Sequence, residues 1–488
     1  MAARSRGRRG RAVAVGAAAG LAAAGAGAAS VLRDEGRRVH LERQLRVWRL
    51  TARRFLHYAQ VRVKGRGADE EERARLEEHF AIRSAEDVAK VLGGMKGAIM
   101  KAGQMLSFIA DGLPPEAKAA LATLQADVPP MAPSLAEGVI REELGDDPER
   151  LFLNFELVPV AAASIGRVHR AVLRDGRVVA VKVQYPGVDR AIKSDLDNAE
   201  MLYGLFAQFA LKNLEVRALV DELRARMAEE LDYRHEAASQ AEFARLYGGH
   251  PFIRIPTVVP EFSSRRVLTS EWVDGMRWDE FLERSDQAAK DRAGEVILRF
   301  AQGSIHLHGM FNGDPHPGNY RFHDDGSVTF LDFGLVKRWT PGEFDRLAPL
   351  LDAVLDEDPA ALVQRSVEAR FLPPDHGFDP AFVFEYVRGP YEPFLVDRYT
   401  YTRDSTAKAL QTVVDVAGRY GDLIKKLNMP TSYVILDRVV WGVSALLSRL
   451  EATNCWRGIL FEYRKGAPPA TELGRVEAEW RSDSAARR

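Results

Sequence analysis

Two acidic motifs placed close together constrain this chain more than any other feature. Residues 314–319 read Asp-Pro-His-Pro-Gly-Asn, and an Asp-Phe-Gly run at 332–334 begins thirteen residues after Asn319. Together they supply two carboxylates and one amide, and such oxygen groups are the ligands that magnesium prefers. The spacing predicts a site where Asp314, Asn319 and Asp332 hold magnesium against the phosphates of a nucleotide.

A lysine lies upstream, at the end of the apolar run Val-Ala-Val-Lys at 179–182. Kinases use a strand lysine of this kind to contact the α and β phosphates, while a glutamate on a helix orients it. Glu230 and Glu236, both in one predicted helix, are the candidates for that glutamate. A single lysine in a strand is usually a surface residue, but here a hairpin, a helix and both acidic motifs follow in kinase order.

We expect these residues to have different chemical roles. Lys182 contacts phosphates, Asn319 and Asp332 bind magnesium, and Asp314 is the catalytic acid–base or the carboxylate that orients the acceptor. In the alternative interpretation, Asp314 only begins a turn and Asp332 only caps a loop. That alternative requires the spacing and the upstream lysine to coincide by chance.

The bulk composition is that of a globular protein with a full core. The chain has 488 residues, of which 46% are hydrophobic and 28% are charged. Its single cysteine, Cys455, excludes an internal disulfide and a metal site built from several cysteines.

The first 66 residues are strongly basic, with sixteen Lys and Arg against three Asp and Glu. They include an uncharged Ala/Gly-rich stretch between Arg11 and Arg33. A secretory signal is disfavoured, because export would separate a nucleotide-dependent enzyme from its ATP. Two interpretations remain open: a weak membrane anchor with a Gly-x-x-x-Gly face at Gly16 and Gly20, or an Ala/Gly tail. We expect a cytoplasmic protein that associates with membranes through this segment and does not bind nucleic acid.

The pattern along the chain predicts helices, then a small sheet, then helices again. A capped helical pattern begins at Ser84, and prolines near residue 130 mark a boundary. Strands are predicted at 151–158, 166–174, 178–184 and 266–272, with a hairpin turn at Asp175-Gly176. From Trp278 the pattern is mainly helical, and after Gly466 we expect a flexible polar tail.

Two features depart from ordinary protein kinases. The usual glycine-rich phosphate loop is replaced by Ala161, Ala162, Ala163, Ser164, Ile165 and Gly166. Methyl groups there would change how the backbone approaches phosphate. Only five residues separate Gly334 from Thr340-Pro341-Gly342-Glu343, a predicted helix start with Thr340 as N-cap. Because this leaves no room for a peptide-docking segment, a small molecule or lipid headgroup is the favoured substrate.

The chain resembles the UbiB family of atypical kinases, also called the ADCK or AarF group, over residues 85–465. The motifs that carry the resemblance are Lys-Ala-Gly-Gln at 101–104, the Ala-rich loop, Glu-Leu-Asp at 230–232, Val-Lys-Val-Gln-Tyr-Pro-Gly at 181–187 and Asp-Pro-His-Pro-Gly-Asn. One departure is Asn312, which stands where many members have a histidine.

The resemblance implies an α+β, bilobal protein-kinase-like fold whose N-terminal helical extension covers the active site. It also implies binding of ATP or ADP with Mg²⁺, ATPase activity, and membrane-associated work in isoprenoid quinone or related lipid metabolism. Glu236 would pair with Lys182. The covering motif would consist of Lys101, Gly103, Gln104, Glu230 and Asp232.

The predicted domains are a basic tail or weak anchor (1–35), the helical extension (36–135), an N-lobe (136–273), a C-lobe (274–465) and a flexible tail (466–488). The candidate nucleotide contacts are Ala161, Ala162, Ala163, Ser164, Gly166, Lys182, Glu271 and Val273. The expected partners are a small-molecule or lipid substrate, a membrane surface, and a second copy of the chain or a biosynthetic complex. Two other functions remain open: a nucleotide-gated scaffold or lipid chaperone, and an aminoglycoside-like phosphotransferase.

Overall fold

The structure is a computed structural model that describes residues 133–163, 165–189, 231–414, 418–428 and 430–486. Its described residues up to 186 and from 231 belong to one compact unit. The basic tail and the helical pattern from Ser84 lie outside these ranges and stay predictions. Five candidate residues also lie outside: Lys101, Gly103, Gln104, Ser164 and Glu230.

The strands are short and fall mainly in the first half of the described chain. They are β1 (Phe152–Phe155), β2 (Ala161–Ala163), β3 (Gly166–Leu173), β4 (Val178–Gln184), β5 (Ile253–Arg254), β6 (Val267–Glu271), β7 (Met310–Asn312), β8 (Tyr320–Phe322), β9 (Val328–Phe330), β10 (Val336–Arg338), β11 (Tyr399–Thr400) and β12 (Thr453–Asn454).

The helices dominate the second half. They are α1 (Pro133–Leu144), α2 (Pro148–Leu151), α3 (Tyr233–Leu246), α4 (Trp278–Arg284), α5 (Gln287–His306), α6 (Glu343–Leu355), α7 (Pro359–Glu368), α8 (Pro380–Val387), α9 (Arg403–Val414), α10 (Gly421–Lys426), α11 (Thr431–Leu450), α12 (Trp456–Lys465) and α13 (Glu472–Ala486). Short 3₁₀ turns cover Pro260–Phe262, Pro317–Asn319 and Gly389–Phe394.

An antiparallel sheet forms the first lobe, with the spatial order β1-β3-β4-β6 and β2 paired to β3. The four predicted strands are confirmed, and β2 is an additional one. Gly176 in the predicted hairpin turn has φ +89°, a left-handed conformation that glycine adopts without steric cost. One face of β4 buries Val179, Val181 and Val183 in the core that α1 covers. Alternation along the strand then turns Lys182 to the opposite face.

The second lobe is built around α5 and α11, which pack against each other. Twelve residues of α5 are buried, as expected for a helix surrounded by other elements. Two small sheets lie against this core: β7 pairs with β10, and β9 pairs with β8 and β5. These strands flank both acidic motifs and therefore fix their positions.

The end of the chain corrects one prediction. Residues 472–486 form helix α13 rather than a flexible tail, because this helix buries Leu473 and Glu477. Glu477 joins Glu295 and Glu462 around the fully buried Arg299 guanidinium, whose nitrogens lie 2.8–3.0 Å from the three carboxylates. The polar composition of residues 472–486 gave no indication of the buried ion pairs around Arg299.

The helix after the Asp-Phe-Gly run also starts later than predicted. It begins at Glu343 rather than after Thr340, because Gly342 has φ +74° and interrupts helical geometry. The predicted contact between Thr340 and Glu343 is nevertheless formed. Glu343 Oε2 accepts hydrogen bonds from the Thr340 amide and hydroxyl at 2.8 and 3.0 Å.

Along the described ranges, none of the helices combines the length and the apolar character needed to cross a bilayer.

Replacing Arg299 with Met should lower the free energy of unfolding by about 3–5 kcal/mol, because three buried carboxylates lose the cation they share. The measurement is urea denaturation of the full chain. Arg365→Met is the matched control, since Arg365 pairs with Glu368 at the surface, where an ion pair contributes about 1 kcal/mol or less. Equal effects of the two substitutions would show that the network does not hold α13 in place.

Candidate active site

Lys182 lies at the centre of the candidate site. Its ammonium nitrogen is 2.8 Å from both carboxylate oxygens of Glu236 and 3.6 Å from Asp332 Oδ2. It also lies 5.0 Å from the centre of the Tyr233 ring. Of the two candidate glutamates, the structure places Glu236 at Lys182, while Glu230 lies outside the described residues.

Glu236 reaches Lys182 because it lies in the first turn of α3. Asp232 caps this helix by accepting a hydrogen bond from the Arg234 amide at 3.1 Å. The Lys182 and Glu236 side chains are only 13% and 8% exposed. A charge pair with so little solvent around it is weakly screened, so the attraction between the two groups is strong.

The two acidic motifs are joined through the backbone. The Leu331 amide donates to the Asn319 carbonyl at 3.0 Å, and the Gly313 amide donates to the Leu335 carbonyl at 2.7 Å. Within the first motif, the Asn319 side-chain amide donates to Asp314 Oδ2 at 3.2 Å. The structure therefore brings Asp314, Asn319 and Asp332 together, as the spacing predicts.

The Asp-Phe-Gly run is fixed on both sides. Asp332 Oδ1 accepts a hydrogen bond from the Gly334 amide at 2.9 Å. Phe333 is buried, and its ring centre lies 4.8 Å from that of Phe243 on α3. The helix that supplies Glu236 thus also packs against the residue next to Asp332.

Asn312 has a role that sequence reasoning missed. Its side-chain nitrogen donates to the Asp332 carbonyl at 2.5 Å, and its side-chain oxygen accepts from the Asp314 amide at 2.9 Å. One amide side chain therefore ties the two motifs together. The only signal in the sequence was its place two residues before Asp314, where the resemblance points to a histidine.

Arg438 is a second residue that sequence reasoning missed as part of the site. This α11 side chain donates to Asp314 Oδ1 at 2.5 Å, and the pair is only 14% and 20% exposed. The same helix approaches closely at Gly442, where an added Cβ would overlap the Pro315 ring. More than a hundred residues separate Arg438 from Asp314, and no local pattern indicates their contact.

The Tyr320 hydroxyl, close to Asp314, does not ionise at neutral pH. Burial, and then the charge of Asp314, raises the pKa of Tyr320 far above its ordinary value. Tyr320 therefore keeps its proton at neutral pH.

The Ala-rich segment is part of the sheet. Ala161, Ala162 and Ala163 pair with β3 as strand β2, and the first two are exposed. Gly166 has a packing role, because an added Cβ would overlap the Val183 carbonyl oxygen. Whether this segment contacts nucleotide stays a prediction.

The remaining candidates lie at the edges of the site. Glu271 ends β6, and Val273 follows it in the connection to α4. Both line an open groove with Thr257 and His323. The predicted contacts of Asp232 with the covering motif stay untested, because Lys101 and Gln104 lie outside the described residues.

The donor set fits magnesium. Asp332 presents a carboxylate that is 30% exposed, and Asn319 presents an amide next to the carboxylate of Asp314. Hard oxygen ligands near a partly exposed surface suit an ion that keeps several of its waters and binds phosphates.

Comparisons with known proteins show what the chain is similar to. Residues 123–366 match the model of the ABC1 atypical kinase-like domain. The atypical kinase COQ8B of rat (Rattus norvegicus) mitochondria is 32% identical over 384 residues, which cover 76% of this chain and 70% of COQ8B. An uncharacterised aarF domain-containing protein kinase of Arabidopsis thaliana chloroplasts is 34% identical over 301 residues, or 62% of this chain and 42% of that protein. The chain thus spans less than half the length of this Arabidopsis relative.

A solved structure from Mycobacterium tuberculosis, of a protein in complex with erythromycin, is similar with a TM-score of 0.60 and 31% sequence identity. The similarity covers 81% of this chain and 98% of that one. The predicted α+β, protein-kinase-like fold is confirmed.

Asn312→Ala should lower the free energy of unfolding by about 1–3 kcal/mol, because it leaves the Asp332 carbonyl and the Asp314 amide without their shared partner. Hydrogen exchange should rise at the amides of residues 313–334. Asn428→Ala is the control, since Asn428 also donates to a backbone carbonyl, that of Arg370, but at an exposed place. Unchanged exchange in Asn312→Ala would show that the side chain does not tie the motifs together.

Proposed function

The chain belongs to the UbiB/ADCK family of ABC1 atypical kinases, and we propose that it is an enzyme that binds Mg-ATP. It hydrolyses the nucleotide or transfers its phosphoryl group to a small lipid-like molecule. The observation that carries this proposal is the position of Lys182 between Glu236 and Asp332, at 2.8 and 3.6 Å. It is the arrangement that phosphoryl-transfer enzymes of the kinase class use.

Each residue has a distinct task in this proposal. Lys182, oriented by Glu236, binds the α and β phosphates. Asp332 and Asn319 hold magnesium, which neutralises charge on the phosphates when bound. Asp314 orients the acceptor hydroxyl or water and accepts its proton, and Arg438 fixes the direction of the Asp314 carboxylate.

The short connection after the Asp-Phe-Gly run supports a small acceptor. Strand β10 ends at Arg338, and α6 begins at Glu343, so four residues join them. In kinases that modify proteins, the segment at this place is long enough to form a platform for the peptide substrate. The connection here is too short for such a platform.

We propose a lipid-like acceptor of isoprenoid quinone or related membrane lipid metabolism, on the family resemblance. The basic residues 1–66 support contact with a membrane surface, because anionic lipids attract such segments. A cytoplasmic, membrane-associated enzyme, acting as a homodimer or within a biosynthetic complex, is part of the same proposal.

A nucleotide-gated scaffold or lipid chaperone is the second candidate. The observation that favours it is strand β2, where alanines are paired to β3 in place of a flexible glycine-rich loop. An aminoglycoside-like phosphotransferase is the third candidate. What favours it is only that the similar Mycobacterium tuberculosis protein was solved in complex with a small-molecule antibiotic, the macrolide erythromycin.

Asp332→Asn should abolish magnesium-dependent ATP hydrolysis by the full chain, because an amide oxygen binds magnesium far more weakly than a carboxylate. The measurement is steady-state phosphate release. Asp325→Asn is the matched control, since Asp325 is an exposed carboxylate in the β8–β9 turn that pairs with Arg254. Equal turnover by wild type and Asp332→Asn would contradict the enzyme proposal.

A comparison of substrates separates the three candidate functions. We expect ATP turnover by the full chain to rise with liposomes containing anionic lipid and with quinone-precursor analogues, compared with neutral liposomes alone. Mass spectrometry of the analogues would identify phosphoryl transfer. Turnover that neither rises with lipid or quinone-precursor analogues nor phosphorylates any acceptor supports the scaffold. Saturable phosphorylation of an aminoglycoside without a response to lipid supports the third candidate.

A further inference from the structure

A cavity of about 190 Å³ lies inside the helical lobe. Side chains from α5, α6, α8 and α11 line it, and most of them are apolar, such as Leu298, Leu347, Val383 and Val440. Ligand sites in proteins commonly have this composition: apolar walls with a few polar groups.

The cavity is separate from the nucleotide site. Neither Lys182 nor Asp314, Asn319 or Asp332 is among the residues that line it. The tasks of the proposed active site therefore leave this space unexplained.

A small group of polar side chains interrupts the apolar wall. The hydroxyl groups of Tyr391 and Tyr433 are 3.3 Å apart, and Asp437 lies on α11 one turn after Tyr433. Burial raises the pKa of both tyrosines, and the charge of Asp437 adds to the effect. Both phenols stay protonated at neutral pH and can donate or accept a hydrogen bond.

We propose that this cavity is a binding site for a compact uncharged molecule that has a hydrocarbon body and a single hydroxyl group. The hydrocarbon body contacts the apolar wall, and the hydroxyl group lies at Tyr391 and Tyr433.

The size and polarity of the cavity determine this ligand class. An engineered protein cavity of about 150 Å³ holds benzene, so a slightly larger one accepts a six-membered ring with one or two further atoms. Apolar walls exclude a charged ligand, because its desolvation would not be repaid.

Three matched probes test the proposal on the full chain: cyclohexylmethanol, methylcyclohexane and cyclohexanecarboxylate. Saturation-transfer NMR titrations give the affinity, and thermal unfolding gives the shift in Tm. We expect saturable binding of the alcohol, weaker binding of the hydrocarbon, and affinity for the carboxylate at least tenfold below that for the alcohol.

Substitutions locate the binding. Ala348→Phe should abolish it, because Ala348 is a buried α6 residue that lines the cavity and the added ring fills the space. Val434→Phe is the control, since Val434 is 43% exposed on α11 and does not line the cavity. Tyr433→Phe should lower the affinity for cyclohexylmethanol about tenfold, or about 1.4 kcal/mol, and leave the affinity for methylcyclohexane unchanged.

The proposal is overturned if wild type shows no saturable binding of the alcohol, or if Ala348→Phe folds and binds it as wild type does. Should Ala348→Phe fail to fold, Tyr433→Phe decides the question. If Tyr433→Phe lowers the affinities for the alcohol and the hydrocarbon equally, or lowers neither, the proposal is overturned.

Discussion

The Lys182 ammonium group joins three parts of the fold that are far apart in sequence. Strand β4 supplies the lysine, α3 supplies Glu236, and the Asp-Phe-Gly run supplies Asp332. Lys182 and Glu236 are both nearly buried, so separating their charges would carry a large cost in desolvation, while the more exposed Asp332 adds a weaker attraction at 3.6 Å. The distance between the lobes at this point is therefore set by charge, and the packing of Phe333 against Phe243 reinforces it.

The features that depend on the spacing of neighbouring residues could be predicted from the sequence alone. The hairpin at Gly176, the strand with Lys182 and the two acidic motifs each depend on residues close together in the chain. Asn312 and Arg438 could not be assigned in this way, because their roles come from partners 20 and 124 residues away. The buried end of α13 was missed for the same reason, since Glu477 looks like a surface residue until Arg299 is found beside it.

The Ala-rich segment shows how the sheet limits the chemistry of the site. In a glycine-rich loop the backbone is free to approach phosphate, whereas β2 commits its backbone groups to β3. Gly166 preserves close packing against β4. In the proposed enzyme, phosphate binding would then depend mainly on Lys182 and on magnesium held by Asp332, an arrangement that favours hydrolysis of ATP over precise delivery to an acceptor.

Helix α11 links the cavity to the active site. Asp437 lines the cavity, while Arg438, the next residue, holds the carboxylate of Asp314. Close packing makes this link stiff. Gly442 has no room for a methyl group against Pro315, and a Cβ atom added at Gly313 would lie only 2.9 Å from the Ile435 side chain. Tightly packed surfaces transmit small displacements with little loss. A molecule that moved α11 in the cavity would therefore also change the direction in which Asp314 points.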